Sequence, residues 1–396
     1  MRKILLTLSL SLLLFPLAGC WDRVEINDLA IVTATGIDYT DDKQIQLSLQ
    51  VFIPRALSTS GGGGAGAGAG GEKLTLIRTG KGITMADALS QVQAKLPRRV
   101  FWGHCKVYVF GERLARKGIS EQMDFLVRHP EPRERAYMYV SKGQAKAIVE
   151  LLPPLERYSA EVIRELSDLR IGMSVTMIDV QEMLRLKGPV TALPLVGVLP
   201  PARGEKELST IPYIVGTAVF DEDKMIGQVS TKTTRGIIWL RNELSIATVT
   251  LKVKNVKGVV TLNPIRAETK LYPKIVKGKW KMLVKIEAEA NMIQNATNLN
   301  PMDTKLLTLI EKAFAEDLRA RARLALREVQ HRLKADIFGF ATEFHRRYPR
   351  EWAKVKEHWD EKFPKVEVTL DIKAYIRRPG LVNTPGGLPE DEVREH

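Results

Sequence analysis

Cysteine is almost absent: Cys20 and Cys105 are the two in a chain of 396 residues. Two thiols cannot staple a chain this long, so a disulfide framework is excluded and stability has to come from a hydrophobic core. Histidine is scarce as well, at six. No Cys-x-x-Cys, His-x-x-x-His or His-Glu-x-x-His spacing occurs, which leaves zinc without a signature. A Gly-x-Ser-x-Gly nucleophile elbow is missing too. The Gly/Ala-rich run at 58–71 ends in Gly70-Gly71-Glu72-Lys73 and enters a strand-like Leu74 to Ile77. A phosphate loop would end in Gly-Lys-Ser/Thr at a helix start, so nucleotide binding is rejected. No apolar run reaches the roughly 20 residues a bilayer-spanning helix needs. Acidic side chains are in the minority, 46 against 60 Lys plus Arg, a formal net charge of +14. That balance favours an acidic partner: nucleic acid, anionic lipid or anionic wall polymer.

What is present begins at the amino end. Arg2 and Lys3 precede an apolar stretch from Ile4 to Phe15, and Leu17-Ala18-Gly19-Cys20 follows. The stretch is too short to span and has the layout of a signal peptide. Leu-Ala-Gly-Cys looks like a lipobox. In that resemblance the Cys20 thiol receives a diacylglycerol, the chain is cut after Gly19, and Cys20 becomes the new amino terminus. The plainer alternative is a secreted protein with an incidental cysteine, and the position of Cys20 directly after the apolar stretch disfavours it. A diacyl anchor holds stably where one acyl chain is marginal. On the outer face of a membrane, lipid headgroups or wall polymers replace nucleic acid as the acidic partner.

Along the mature chain, Leu29–Asp38 and Ile45–Ile53 read as a hairpin around Thr40 to Lys43. Thr84–Leu96 reads as a helix capped by Thr84, and Val100–Phe110 as one strand. Helical patterns follow at 120–128, 144–152, 160–169 and 177–186. A second hairpin spans Ile214–Val229, and a short helix covers Thr234–Arg241. Strands fill 246–291. From Thr304 to Ile337 apolar residues recur every three or four positions, one stripe of a long helix. Val366, Val368, Leu370 and Ile372 alternate with polar residues on a strand beneath it.

The fold class expected is α+β (mixed α/β), with helices flanking mixed sheets and a long helix packed on a sheet in the last domain. The expected division is a signal peptide (1–19), an amino-terminal α/β domain (20–190), a small middle domain (191–243), a carboxy-terminal domain (244–380) and a fraying tail (381–396).

Candidates for chemistry are few. His104 and Cys105, adjacent on a strand, would point to opposite faces, and Cys105 reads as a small buried hydrophobe. The carboxylates Asp221/Glu222/Asp223 and Asp360/Glu361 would serve glycan hydrolysis only if the fold brought two together. Basic charge is concentrated between Lys252 and Lys285. Lys252, Lys254, Lys257, Lys270, Lys274, Lys277, Lys279, Lys281 and Lys285, with Arg266, face only Glu268. This region is a candidate anionic-surface contact, or a set of lysines protecting edge strands.

Several blocks then resemble one family. Cys20-Trp21-Asp22-Arg23, Glu25 to Ala30 and Gly36-Ile37-Asp38 resemble the start of the Ger(x)C spore germination lipoproteins. Phe101-Trp102-Gly103-His104, Asp124 to Arg128, Pro132 to Arg135 and Gly216 to Phe220 continue in the same order. Gln330, Lys334 to Phe340, His345 to Pro349 and Trp352 close the series. The Gly-rich run at 58–71 reads as an insertion.

The resemblance implies a three-domain mixed α/β fold and the C subunit of a nutrient germinant receptor in the spore inner membrane. Its implied partners are integral membrane A and B subunits, with no catalytic residue, metal or cofactor and no nucleic acid. The alternatives are a lipid-anchored solute-binding protein, with two similar lobes around a hinge, and a lipid-anchored cell-wall hydrolase.

Overall fold

The computed structural model describes residues 25–54, 74–185, 192–243, 248–378, 389 and 392–394. The leader with Cys20, the run at 58–71 and most of the 381–396 tail lie outside the described residues.

Strands β1 (Leu29–Tyr39) and β2 (Ile45–Phe52) form the expected antiparallel hairpin, with Lys43 at φ 59 in its turn. Strand β3 (Thr75–Gly82) pairs with the far edge of β2. Helix α1 (Met85–Gln93) starts at a reciprocal cap: Thr84 accepts the Asp87 N–H at 3.2 Å and Asp87 accepts the Ile83 N–H at 2.9 Å.

The expected single strand at Val100–Phe110 is two strands, β4 (Arg99–Phe101) and β5 (Val107–Gly111), both parallel to β1. The break is a turn in which the Cys105 N–H bonds the Trp102 carbonyl at 2.9 Å. Turning there buries the Trp102 indole edge-on against Phe125, 5.6 Å between ring centres, which a continuous strand would not permit.

There follow α2 (Glu112–Lys117), α3 (Ser120–Arg128), β6 (Tyr137–Ser141), α4 (Ala145–Val149), α5 (Ser159–Asp168) and α6 (Met177–Arg185). Then come β7 (Ala192–Val198), β8 (Pro212–Asp221), β9 (Lys224–Ser230) and α7 (Thr231–Leu240). The first sheet has the order β3-β2-β1-β5-β6-β7-β8-β9, with β4 beside β1. Its central strands β1, β5, β6 and β7 are parallel. They are apolar on both sides because helices cover both faces. Ile148 of α4 and Ile163 of α5 pack on one face, and Val92, Leu114 and Leu126 of α1, α2 and α3 on the other. Residues 191–243, expected as a small middle domain, supply β7 to β9 to the edge of this same sheet.

The second sheet has the order β10 (Val249–Leu251), β11 (Val260–Val276), β12 (Lys279–Asn295), β13 (Glu367–Arg378). Helix α8 (Thr304–Leu326) begins at Asp303, whose carboxylate accepts the Lys305 and Leu306 N–H groups. Its stripe of Leu306, Ile310, Phe314, Leu318 and Ala322 is buried as expected. The helix does not reach Ile337. It widens into a π-helical turn, Arg327–Leu333, and ends at Lys334 in the left-handed region, φ 56. That turn places the Gln330 amide within 2.9 Å of both the Phe363 and Val366 carbonyls.

Short helices α9 (Phe340–Arg347), α10 (Pro349–Val355) and α11 (Trp359–Lys362) return the chain to β13. The class is α+β, with the long helix on the second sheet. One apolar core runs from Ala30 in the first sheet to Ile376 in the second. Its seam is α7 against α8, so close that a Cβ on Gly236 would stand 2.2 Å from the Arg321 carbonyl oxygen. The tail does not fray throughout, since the Arg394 N–H bonds the Asn298 carbonyl at 2.7 Å.

Candidate functional site

A cleft of about 740 Å³ opens at the carboxyl ends of β1 and β5. Clefts in open α/β sheets form there because the loops diverge where the strands end. Its floor is Asp38, 5% exposed, which accepts the Ala145 N–H at 2.7 Å and the Lys146 N–H at 2.9 Å. Gln144 gives α4 no side-chain cap, so the carboxylate of a residue 107 positions away supplies it. Room for that contact is made by glycine: a Cβ on Gly111 would lie 2.0 Å from Asp38 Oδ1, and one on Gly36 3.1 Å from the Ala145 backbone. Burial pushes the Asp38 carboxyl above its usual range, against the pull of both N–H groups and Lys146.

The cleft's rim charges are matched in pairs. Lys81 meets Asp42 at 3.0 Å, Arg116 meets Glu112 at 2.8 Å, and Arg113 meets Asp41. The Lys117 ammonium sits 3.9 Å from the centre of the Tyr39 ring. Among the described residues, His, Cys and Ser are missing from the lining. Such a cleft can hold a small polar solute by hydrogen bonds, but it presents no nucleophile beside a base.

The other candidates are dispersed. Cys105 is fully buried, with Thr35 Oγ1 and the Val107 carbonyl each at 3.4 Å, and burial pushes its thiol up to about 11. His104, in the same turn, is exposed. Asp223 accepts the Ser120 N–H at 3.2 Å, a helix-start contact. Asp360 and Glu361 lie on α11.

The nine lysines form two separate groups. Lys252, Lys254 and Lys257 follow β10, beside the start of β11. Lys270, Lys274, Lys277, Lys279, Lys281 and Lys285 lie along the β11–β12 hairpin toward its tip, in the register Lys270–Lys285 and Lys274–Lys281. Seventeen residues of β11 at about 3.4 Å each put its two ends roughly 50 Å apart. A carboxylate that the sequence leaves remote is brought beside the second group: Glu367 pairs with Lys281 at 2.7 Å and with Lys279 at 3.6 Å.

Other residues of the quoted blocks are fold contacts. Asp336, 1% exposed, accepts N–H groups from Gly339, Phe340 and Ala341 and the Trp359 indole N–H at 3.0 Å. A signal for Asp38 and Asp336 as caps was present only as acids two or three residues from a glycine, because their partners are set by the fold. A second, smaller pocket was invisible to sequence reasoning. It gathers His104, Lys106, Arg157, Tyr158 and Arg164 at the amino end of β1.

Two family models match the chain in succession: "Spore germination protein N-terminal domain" over residues 22–198 and "Spore germination B3/GerAC like, C-terminal" over 215–380. The chain belongs to the Ger(x)C family of spore germination proteins. The Ger(x)C chain is 29% identical to spore germination protein KC of Bacillus subtilis (strain 168), over 97% of this chain and 98% of that one. Spore germination protein B3 of the same strain is 23% identical, over 93% and 96%. The crystal structure of the GerBC protein superposes with a TM-score of 0.56 at 19% identity, covering 87% of this chain and 97% of that one. The two share their fold.

Proposed function

We propose that this Ger(x)C protein is a non-catalytic subunit of a spore nutrient germinant receptor. Cys20 carries a diacylglycerol that tethers the body to the extracytoplasmic face of the spore inner membrane. There it docks onto two integral membrane subunits. The observation that carries this reading is the pair of family models, in order, over 22–198 and 215–380. The docking role is supported by the blocks themselves: Asp38, Gln330 and Asp336 are spent on helix caps and loop carbonyls, so the quoted motifs build a rigid body. No helix among the described residues is long and apolar enough to cross a membrane, and attachment at Cys20 meets that need. A tether also raises the effective concentration of the body beside integral partners, so a modest interface suffices. A solute binder with two like lobes fits poorly, since the sheets have nine and four strands and share one core.

The test joins labelling to capture. Fatty acid should label the wild type and not Cys20→Ala, and the tagged wild type should bring down two polytopic proteins from spore membranes. Deleting the gene should abolish germination to the nutrients that receptor serves and spare triggers that bypass receptors. An unchanged nutrient response, or peptidoglycan cleavage by the purified protein, would refute the proposal.

A further inference from the structure

The first sheet carries a second pocket, of about 250 Å³, at the end opposite the Asp38 cleft. Its walls are the start of β1 at Ile31 and Thr33, the end of β2 at Phe52, and the turn entering α5 at Tyr158. Phe52 and Tyr158 meet edge to face, 6.4 Å between ring centres, and make the floor apolar. Lys106, Arg157, Arg164 and His104 stand around it, and among the described residues Glu161 is the one carboxylate in the lining. Glu161 is engaged by the Arg157 backbone N–H at 3.2 Å, and Arg164 by Asp168 at 2.5 Å. The side chains of Lys106 and Arg157 are exposed and make no ion pair among the described residues. The pocket therefore offers two uncommitted cations above an apolar floor, the arrangement that receives an anion attached to a hydrophobic body. Burial pushes the Tyr158 phenol up to about 12, so it stays neutral and adds no competing negative charge.

We propose that this pocket binds the phosphate of an anionic lipid headgroup and so orients the body on the bilayer. The inference rests on the Cys20 anchor. Eight residues separate Cys20 from Leu29 at the start of β1, a reach of at most about 30 Å. Ile31 and Thr33 lie just beyond that start. The Asp38 cleft lies about 23 Å farther along the same strand, from Ile31 to Asp38. The anchor's reach brings the basic pocket within range of the headgroups, and it is occupancy of the pocket that would turn the polar cleft away from them.

The experiment uses the full lipidated protein in nanodiscs of phosphatidylcholine, with or without one-third phosphatidylglycerol. Retention on both discs reads the anchor, and hydrogen exchange across 157–164 reads the pocket. Phosphatidylglycerol should slow exchange there about tenfold, and Lys106→Glu with Arg157→Glu should remove the effect while retention stays. Both side chains are exposed, so the fold should survive their exchange. Equal protection from inorganic phosphate at millimolar concentration would assign the site to free phosphate and overturn the lipid proposal. Retained protein with no response to phosphatidylglycerol would overturn the pocket and leave the anchor standing. Protein lost from both discs would overturn the anchor and the pocket's orientation with it.

Discussion

Asp38 and Asp336 show how single acids hold this fold. Each sits near a glycine, is nearly inaccessible, and ends its hydrogen bonds on the first turn of a helix whose own cap position gives no side-chain bond. Asp336→Ala would strand the N–H groups of Gly339, Phe340 and Ala341 and the Trp359 indole N–H. Leaving such donors buried without an acceptor should cost about 3 kcal/mol, read as a lower denaturant midpoint at unchanged slope. Burial outweighs these bonds and raises the Asp336 carboxyl above 3.8. A raised carboxyl binds its proton more tightly when folded. Its stabilising contribution is therefore complete below the unfolded value and is lost as pH rises through the folded one. Asp336→Asn should flatten that part of the pH profile, and an unchanged profile would show that the carboxyl titrates alike in the folded and unfolded chain.

Elements with a local period were legible in the sequence, and those decided by distant contacts were not. The hairpin around Thr40 to Lys43 and the Thr84 cap need only neighbours, and both appear where expected. Val100–Phe110 has strand composition throughout, and only the burial of Trp102 under α3 explains its break. The stripe on α8 was visible, but its use was not: α8 also guards the free edge of β13. Glu311 accepts the Ile376 N–H at 2.9 Å and Arg319 donates to the Leu370 carbonyl at 3.1 Å. An uncovered edge strand is a template for another chain. Glu311→Ala with Arg319→Ala should leave the monomer folded but make it associate with rising concentration, seen by light scattering. The same double variant remaining monomeric at high concentration would mean that packing alone shields the edge. The candidate pockets were hidden for the same physical reason, because Lys106 and Arg157 lie 51 positions apart and meet only through the sheet.

At the scale of the whole molecule, the question is whether two sheets make one cooperative unit. β7 to β9 extend the first sheet, yet α7, which follows them directly, packs on the long helix of the second. A core continuous from Ala30 to Ile376 should melt in one step. Two probes can test this in the Cys20→Ala chain, where Cys105 is the remaining thiol. Cys105, fully buried with a raised thiol, should react with a thiol reagent only when the first sheet opens. The rings of Trp280, Trp352 and Trp359, with Trp352 and Trp359 5.0 Å apart, report the second sheet through near-ultraviolet dichroism. The two midpoints should coincide. Gly236→Ala should separate them, because its Cβ would meet the Arg321 carbonyl and push α7 off α8. Alanine favours an isolated helix over glycine by about 1 kcal/mol, so a loss on substitution belongs to the seam and not to α7 itself. Separate midpoints already in the unsubstituted chain would mean that the halves fold independently, and that the shared core does not couple them.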